Sequence, residues 1–261
     1  MHLTIVLLLS IGLQGVHARP PSTFEEDDLR LTAEQIQYLN GGARIALSWS
    51  GYYWKGGTLV YSFGEGCVCM PEYSLTHPVA LPCFYSPRET DLIEKAMAAI
   101  ASKTCVRFRR TRNAQEPQVV MQRKEAGCWS YVGFLARQQQ LLNLGERCMC
   151  SGTIQHEILH ALGLLHTHCD PRRDQYVKIH PENLKPGYEH NFRLLGVGPD
   201  QGTDFGLGYD YESLMHYGEY AFSRNGQPTI VPLRRGVRIG QAKGLSAKDV
   251  RKLNRMYCRG N

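Results

Sequence analysis

Beyond its first 18 residues the chain has no apolar run long enough to cross a bilayer, no internal repeat and no tract of low complexity. These absences exclude a helical membrane span, a solenoid or propeller built by repetition, and a long biased linker. Basic residues are scattered. The one dense stretch, RFRRTR at 107–112, holds Arg107, Arg109, Arg110 and Arg112 and reads as a solvated strand and turn, so no nucleic-acid partner is expected. The longest apolar run, Leu3–Leu13, has only 11 residues, about half of what a membrane helix needs. Small residues Val16 and Ala18 then stand at the −3 and −1 positions of a signal peptidase site, although no Lys or Arg precedes the run. Residues 1–18 therefore read as a cleaved signal peptide, and the mature protein is expected to be secreted, extracellular and free of the membrane.

The remaining composition is that of an ordinary soluble globular protein and names no function. Of 261 residues, 43% are hydrophobic and 21% charged, enough for one large domain or two small ones. Nine cysteines (67, 69, 83, 105, 128, 148, 150, 169 and 258) in an oxidising compartment imply disulfides. The odd count leaves at least one thiol free or paired with another chain. The CVC and CMC pairs lack zinc-ribbon spacing. The net charge is +6; residues 1–44 hold three bases and five acids, so the rest carries 27 bases against 19 acids, or +8, and favours acidic surfaces or substrates.

Residues 19–44 differ in character from the rest of the chain. They are Pro-led, then acidic, then helix-prone from Thr32, and close in a Gly-rich turn at Arg44. This reads as a propeptide with a protease-sensitive junction, leaving 45–261 as the mature domain. Strands are predicted at TLVYSF (58–63), CVRFRR, QVVMQ, GCWSYVGF and QQLLNL. A helix begins after Ser86, whose cap signal includes Pro87 and Glu89; its apolar positions Leu92, Ile93, Ala96, Met97 and Ile100 keep helical spacing. A second helix opens at Ser151 or Thr153, and a last one is capped by Ser246 with Asp249 three residues on. Between these two the chain is rich in Pro and Gly.

The second helix carries the chemistry, in HEILHALGLLH (156–166). His156 and His160, four apart, lie one turn apart on one face and can reach one ion. Glu157 sits about 100° around, beside that ion, where a general base acting on water belongs. In a continuous helix His166 would lie about 240° around from His160, on the wrong side. Gly163 removes the conflict, because glycine accepts a left-handed backbone and ends helices. The chain can stop there and return His166 to the other two. Three neutral imidazoles leave a zinc ion its full charge and an open position.

The pattern H-E-x-x-H-x-x-G-x-x-H is the metzincin zinc signature. With RDQYVKI, GCWSYVG, IGQAKGLSAKDVRKLN and YDYESLMHYGEYAFSRNGQPTI, the sequence resembles the astacin family across nearly all of 24–258. The resemblance implies an α+β zinc protease fold of two subdomains astride a cleft. The first would hold a twisted, mixed, mostly parallel sheet backed by two long helices; the second would be mostly irregular with one late helix. It implies one zinc on His156, His160 and His166, Glu157 as catalytic base, Tyr217 as a zinc-ligating and oxyanion-stabilising hydroxyl, and Met215 as the Met-turn floor. It pairs Cys105 with Cys258 and Cys128 with Cys148; Cys67 or Cys69 is expected to pair with Cys83, and Cys150 and Cys169 stay unassigned. The strand QLLNL is expected to bind extended peptide by edge pairing.

Astacin zymogens are silenced by an aspartate in Phe-x-Gly-Asp, which FEEDD (24–28) resembles, making Asp27 the zymogen zinc ligand with Asp28 the alternative. The family glycine is Glu26 here. Counting back from Trp54 places the mature start near Ile45, after cleavage at Arg44 by a trypsin-like enzyme. Where the family has Glu after the third histidine, to receive the new N-terminal ammonium, this chain has Thr167. Its uncharged hydroxyl implies an N-terminus held differently or less ordered. The expected function is a secreted, monomeric zinc endopeptidase acting on proteins or peptides. The alternative is a catalytically weak or inactive relative that binds zinc or peptide. With no EGF- or CUB-like segment after Cys258, digestion, hatching, venom or tissue-level proteolysis is favoured over matrix processing.

Overall fold

The computed structural model describes residues 28–39, 49–64, 85–195 and 206–258. The signal peptide, Asp27, Arg44, Ile45, Cys67, Cys69 and Cys83 lie outside the described residues. In chain order the elements are β1 (Leu29–Arg30), α1 (Ala33–Leu39), β2 (Thr58–Phe63), α2 (Pro87–Ala101), β3 (Arg107–Arg110), β4 (Gln118–Gln122), β5 (Cys128–Tyr131), β6 (Gln139–Leu144), α3 (Ser151–Ala161), β7 (Val177–Ile179), β8 (Ile230–Pro232) and α4 (Ala247–Tyr257).

Capping chemistry sets the helix starts. Ser86 accepts from the Glu89 amide while Glu89 reaches back to the Ser86 amide, and Ser246 and Asp249 repeat this box on α4. α1 has the same reciprocal arrangement, Thr32 with Gln35. α3 departs from expectation: Cys150, with no side-chain cap bond, holds the N-cap position, and Ser151 is already helical. Along α2, Ile93, Ala96, Met97 and Ile100 are buried, the stripe that a 3.6-residue period predicts. α3 buries every residue from Gly152 to Ala161, because it runs through the middle of the molecule rather than over its surface.

One sheet runs β1-β5-β6-β4-β2-β3, parallel except where β5 meets β6. β4 is buried at all five residues. Ile93 and Met97 of α2 and Ile154 and Ile158 of α3 share one core with Leu59, Met121 and Leu142 of the sheet. The position of β6 overturns one expectation. QLLNL is not a rim strand, since β6 pairs with β4 on one side and β5 on the other. β5 borders the cleft instead, and β1 from the N-terminal segment occupies its free edge.

After α3 the chain is mostly 3₁₀ turns, with one antiparallel pair, β7 with β8, and a second core around Tyr209, Tyr217, Phe222 and Ile230. The Cys105–Cys258 disulfide joins the entry to β3 to the end of α4 across 153 residues of sequence, and Cys128–Cys148 joins β5 to the approach to α3. Cys150 and Cys169 are free thiols. No helix among the described residues is long and apolar enough to cross a membrane.

The end of α3 is built around Gly163. Its φ is +99°, and the Leu164 amide bonds the Leu159 carbonyl while the Gly163 amide bonds that of His160, the two bonds of a Schellman cap. The remaining carbonyls find distant partners. The Trp54 indole donates to Ala161 at 2.8 Å and the Tyr257 hydroxyl to Leu162 at 2.7 Å. A side chain at 163 would be strained by the left-handed backbone and would approach Met256 Cε to 3.2 Å. Gly163→Ala is expected to lower the unfolding free energy by about 1–2 kcal/mol in urea titrations. An unchanged midpoint would show that the turn is not constrained as described.

Candidate metal centre and active site

The turn at Gly163 brings His166 back onto the face of α3 that carries His156 and His160. The Nε2 of His166 lies 3.3 Å from that of His156 and 3.1 Å from that of His160. Two rings are oriented from behind: His156 Nδ1 donates to the Leu214 carbonyl at 2.9 Å, and His160 Nδ1 to that of Leu164 at 2.8 Å. With the proton on Nδ1, each Nε2 turns a bare lone pair to the centre. A carboxylate faces the same point. Asp28 Oδ2 is 3.1 Å from His156 Nε2 and 3.2 Å from His166 Nε2. Lone pairs facing one another in a buried site repel unless a cation lies among them, and these four residues form a group able to hold one. The carboxylate is that of Asp28; Asp27, the first choice from sequence, lies outside the described residues.

Electrostatics follow from burial. Burial alone would raise the Asp28 pKa, but positive charge at the centre, such as a proton on His166 or His156, outweighs it and holds the group well below the usual carboxylate range. Burial, with His166 and His156 nearby, pushes His160 well below the usual histidine value, which favours the neutral ligand form. Glu157 is fully buried, and neither carboxylate oxygen has a protein partner. Burial first, and then the charge of Asp28, raise its pKa well above the ordinary value. A buried, unpartnered carboxyl is costly to keep, so it marks a place where stability is given up for chemistry.

Tyr217 reaches the centre from the other subdomain, its hydroxyl donating to Asp28 Oδ1 at 2.9 Å. Met215 is fully buried in the core that also holds Ile154 and Ile158, and its carbonyl accepts from the Thr167 amide at 2.9 Å. Thr167, where the resemblance expects a carboxylate, is buried with its hydroxyl unpartnered. The nearby Asp170 bonds Arg172 through both carboxylate oxygens. A second potential ligand group, His166 with His168 and Cys169, is a poor competitor. His168 Nε2 bonds the Asn191 carbonyl at 2.9 Å, and burial pushes the Cys169 thiol up to about 12, so it stays protonated.

Sequence reasoning missed what holds the Met215 turn. Asp249 caps α4, but its carboxylate also accepts from the Ser213 hydroxyl at 2.7 Å and the Leu214 amide at 2.8 Å. Leu214 in turn orients His156. The cap pattern signalled the helix start; nothing local to 246–249 signals a partner 35 residues upstream.

Fold and site together define a class: an α+β metallopeptidase with a three-histidine centre in a cleft between subdomains. The comparisons agree. The family model described as Astacin, a peptidase family, matches residues 79–258, and the chain belongs to that family. Seminal metalloprotease 1 of Drosophila melanogaster is 45% identical over 63% of this chain and 68% of its own length. Astacin-like metalloendopeptidase of Gallus gallus is 33% identical over 91% of this chain and 57% of its own length. Among solved structures, high choriolytic enzyme 1, a hatching enzyme zinc-protease from Oryzias latipes, superposes with a TM-score of 0.67 at 33% identity, covering 80% of this chain and 96% of that one. The chain spans 31% of another relative, zinc metalloproteinase nas-15 of Caenorhabditis elegans. The family is one of zinc metalloendopeptidases, and the histidine cluster could hold that metal.

Asp249→Asn keeps the shape and weakens the anchor of the Met215 turn. Zinc affinity, measured by competition with a chromogenic chelator, is expected to fall about tenfold, the lower end of the range for groups that orient ligands indirectly. Unchanged affinity would mean the turn holds itself.

Proposed function

We propose that this chain is a secreted zinc endopeptidase made as an aspartate-blocked zymogen, with residues 1–18 a signal peptide and 19–44 a propeptide. The observation that carries the reading is the buried, unpartnered Glu157 carboxylate beside three converging imidazoles. His156, His160 and His166 would hold zinc through Nε2. Zinc held there supplies a Lewis acid for a water and for the scissile carbonyl. Glu157 takes the proton from that water and passes it to the leaving amine, a role open to it because neither carboxylate oxygen is held by a protein partner. The Tyr217 hydroxyl donates to Asp28 Oδ1, and when a substrate replaces Asp28 the same donor is aimed at the oxygen that gains charge. Met215 keeps the floor of the site apolar.

Latency follows from where the N-terminal segment lies. Asp28 fills the centre, and β1 pairs with β5, covering the edge on which an extended peptide would be bound. The segment is also stapled down: the Gln35 side chain donates to the Val132 carbonyl at 2.8 Å, and Leu29 and Leu31 pack on Val132 and Leu165. Cleavage at Arg44 would free it.

Glu157→Gln is expected to lower kcat/KM on a quenched peptide by about 10²–10⁴-fold, with zinc content by mass spectrometry unchanged. A variant as active as the parent would remove Glu157 from the role of base, and a parent silent after removal of residues 19–44 would favour the non-catalytic alternative. Asp28→Ala is expected to make the uncleaved chain active, and a chelator to abolish that activity reversibly. Persistent silence of uncleaved Asp28→Ala, with activity appearing on cleavage, would place latency in the cover that β1 lays over β5 rather than in the aspartate.

A further inference from the structure

The cleft strand β5 presents a second feature that the hydrolytic chemistry does not use. Arg30, two residues beyond Asp28, lays its guanidinium over the Trp129 ring, with Cζ 3.8 Å from the ring centroid. The same guanidinium donates to Glu125 Oε2 at 3.0 Å. An aromatic face beside a carboxylate is what a basic side chain needs: the ring quadrupole attracts the cation and the acid pairs with it.

The site is built into the fold rather than gathered around Arg30. Trp129 is only 4% exposed, and its indole Nε1 has no protein partner. The fully buried Asn143, opposite Trp129 in the β5–β6 register, receives the Lys124 and Glu125 amides at 3.1 and 3.2 Å and donates to the Glu125 and Gly127 carbonyls at 2.9 Å each. The adjoining Cys128 is fixed by its disulfide to Cys148. The loop bearing Glu125 is thus held at its backbone beside Trp129. Arg137 lies over the neighbouring ring instead, with Cζ 5.9 Å from the Tyr131 centroid.

We infer that Trp129 and Glu125 form a substrate subsite that selects an arginine or lysine side chain two residues from the scissile peptide, and that Arg30 fills it in the uncleaved chain. The inference rests on the peptidase reading. β1 takes the edge of β5 with Leu29 opposite Ser130 and Arg30 opposite Tyr131, so a substrate strand on that edge carries a side chain to the same place. Its distance from the reacting unit is the distance from Asp28 to Arg30 in sequence. Both side chains of the ion pair are nearly half exposed, 43% for Arg30 and 49% for Glu125, so each contact contributes about two- to fivefold rather than orders of magnitude.

The test uses the full chain, secreted and activated by limited trypsin digestion, on internally quenched peptides. Arg, Lys, norleucine or Glu is scanned through three positions on each side of the scissile bond. At one position, two residues from the bond, Arg or Lys is expected to raise kcat/KM about tenfold over norleucine, chiefly through KM. Glu125→Gln is expected to reduce that ratio to about two- to fourfold, and Glu125→Lys to reverse it in favour of Glu. Trp129→Leu should lower it as well. Because Trp129 is buried and its loss risks misfolding, the half-exposed Glu125 variants decide the matter. A basic preference below twofold at every position, or one unchanged in Glu125→Lys, overturns the inference. Failure of the parent enzyme to cleave even the norleucine peptides would instead count against the peptidase reading.

Discussion

Much of this structure exists to hold four mutually repelling groups at one point. Three imidazole Nε2 atoms and the Asp28 carboxylate face one another inside a site closed to water. Left to themselves they would move apart or take up protons. Each histidine is tied from behind or by its backbone. Leu214 and Leu164 carbonyls receive the Nδ1 protons of His156 and His160, and the Schellman turn at Gly163 fixes the return of the chain to His166. Asp249 holds Leu214 in place from the far end of the protein.

That requirement accounts for features of the fold that would otherwise look unrelated. The exposed carbonyls at the end of α3 are taken up by Trp54 and Tyr257, residues more than 90 positions away in sequence. The Cys105–Cys258 disulfide pins the end of α4, the helix that carries both Tyr257 and Asp249. The N-terminal segment converges on the same point: Asp28 lies against the three imidazoles while β1, Leu29, Leu31 and Arg30 lie on β5 and its neighbours, and on the proposed zymogen reading these are the surfaces that a bound peptide would cover. The C-terminal part meets the N-terminal segment directly in the bond from Tyr217 to Asp28.

The legible part of this design was local. Helix starts at Ser86 and Ser246, the buried stripe of α2, and the strands from β2 to β6 could be read from short-range pattern, because caps and periodicity act within one or two turns. The angle between His160 and His166 made Gly163 interpretable before any fold was known. Strand order was not legible. Nothing in QLLNL distinguishes an interior strand from an edge one, and its place was settled by β5 folding back antiparallel beside it. The dual role of Asp249 and the stacking of Arg30 on Trp129 were hidden for the same reason: each depends on a partner 35 or more residues away. The choice between Asp27 and Asp28 was open in the sequence because FEEDD has no glycine to set the turn.

Zinc K-edge X-ray absorption on the uncleaved chain tests the central claim most directly. The account predicts a first shell of three imidazole nitrogens and carboxylate oxygen with no sulfur, and loss of the carboxylate contribution once the N-terminal segment is removed. A sulfur ligand, which would point to Cys169, or a spectrum that does not change on removal of that segment, would contradict it.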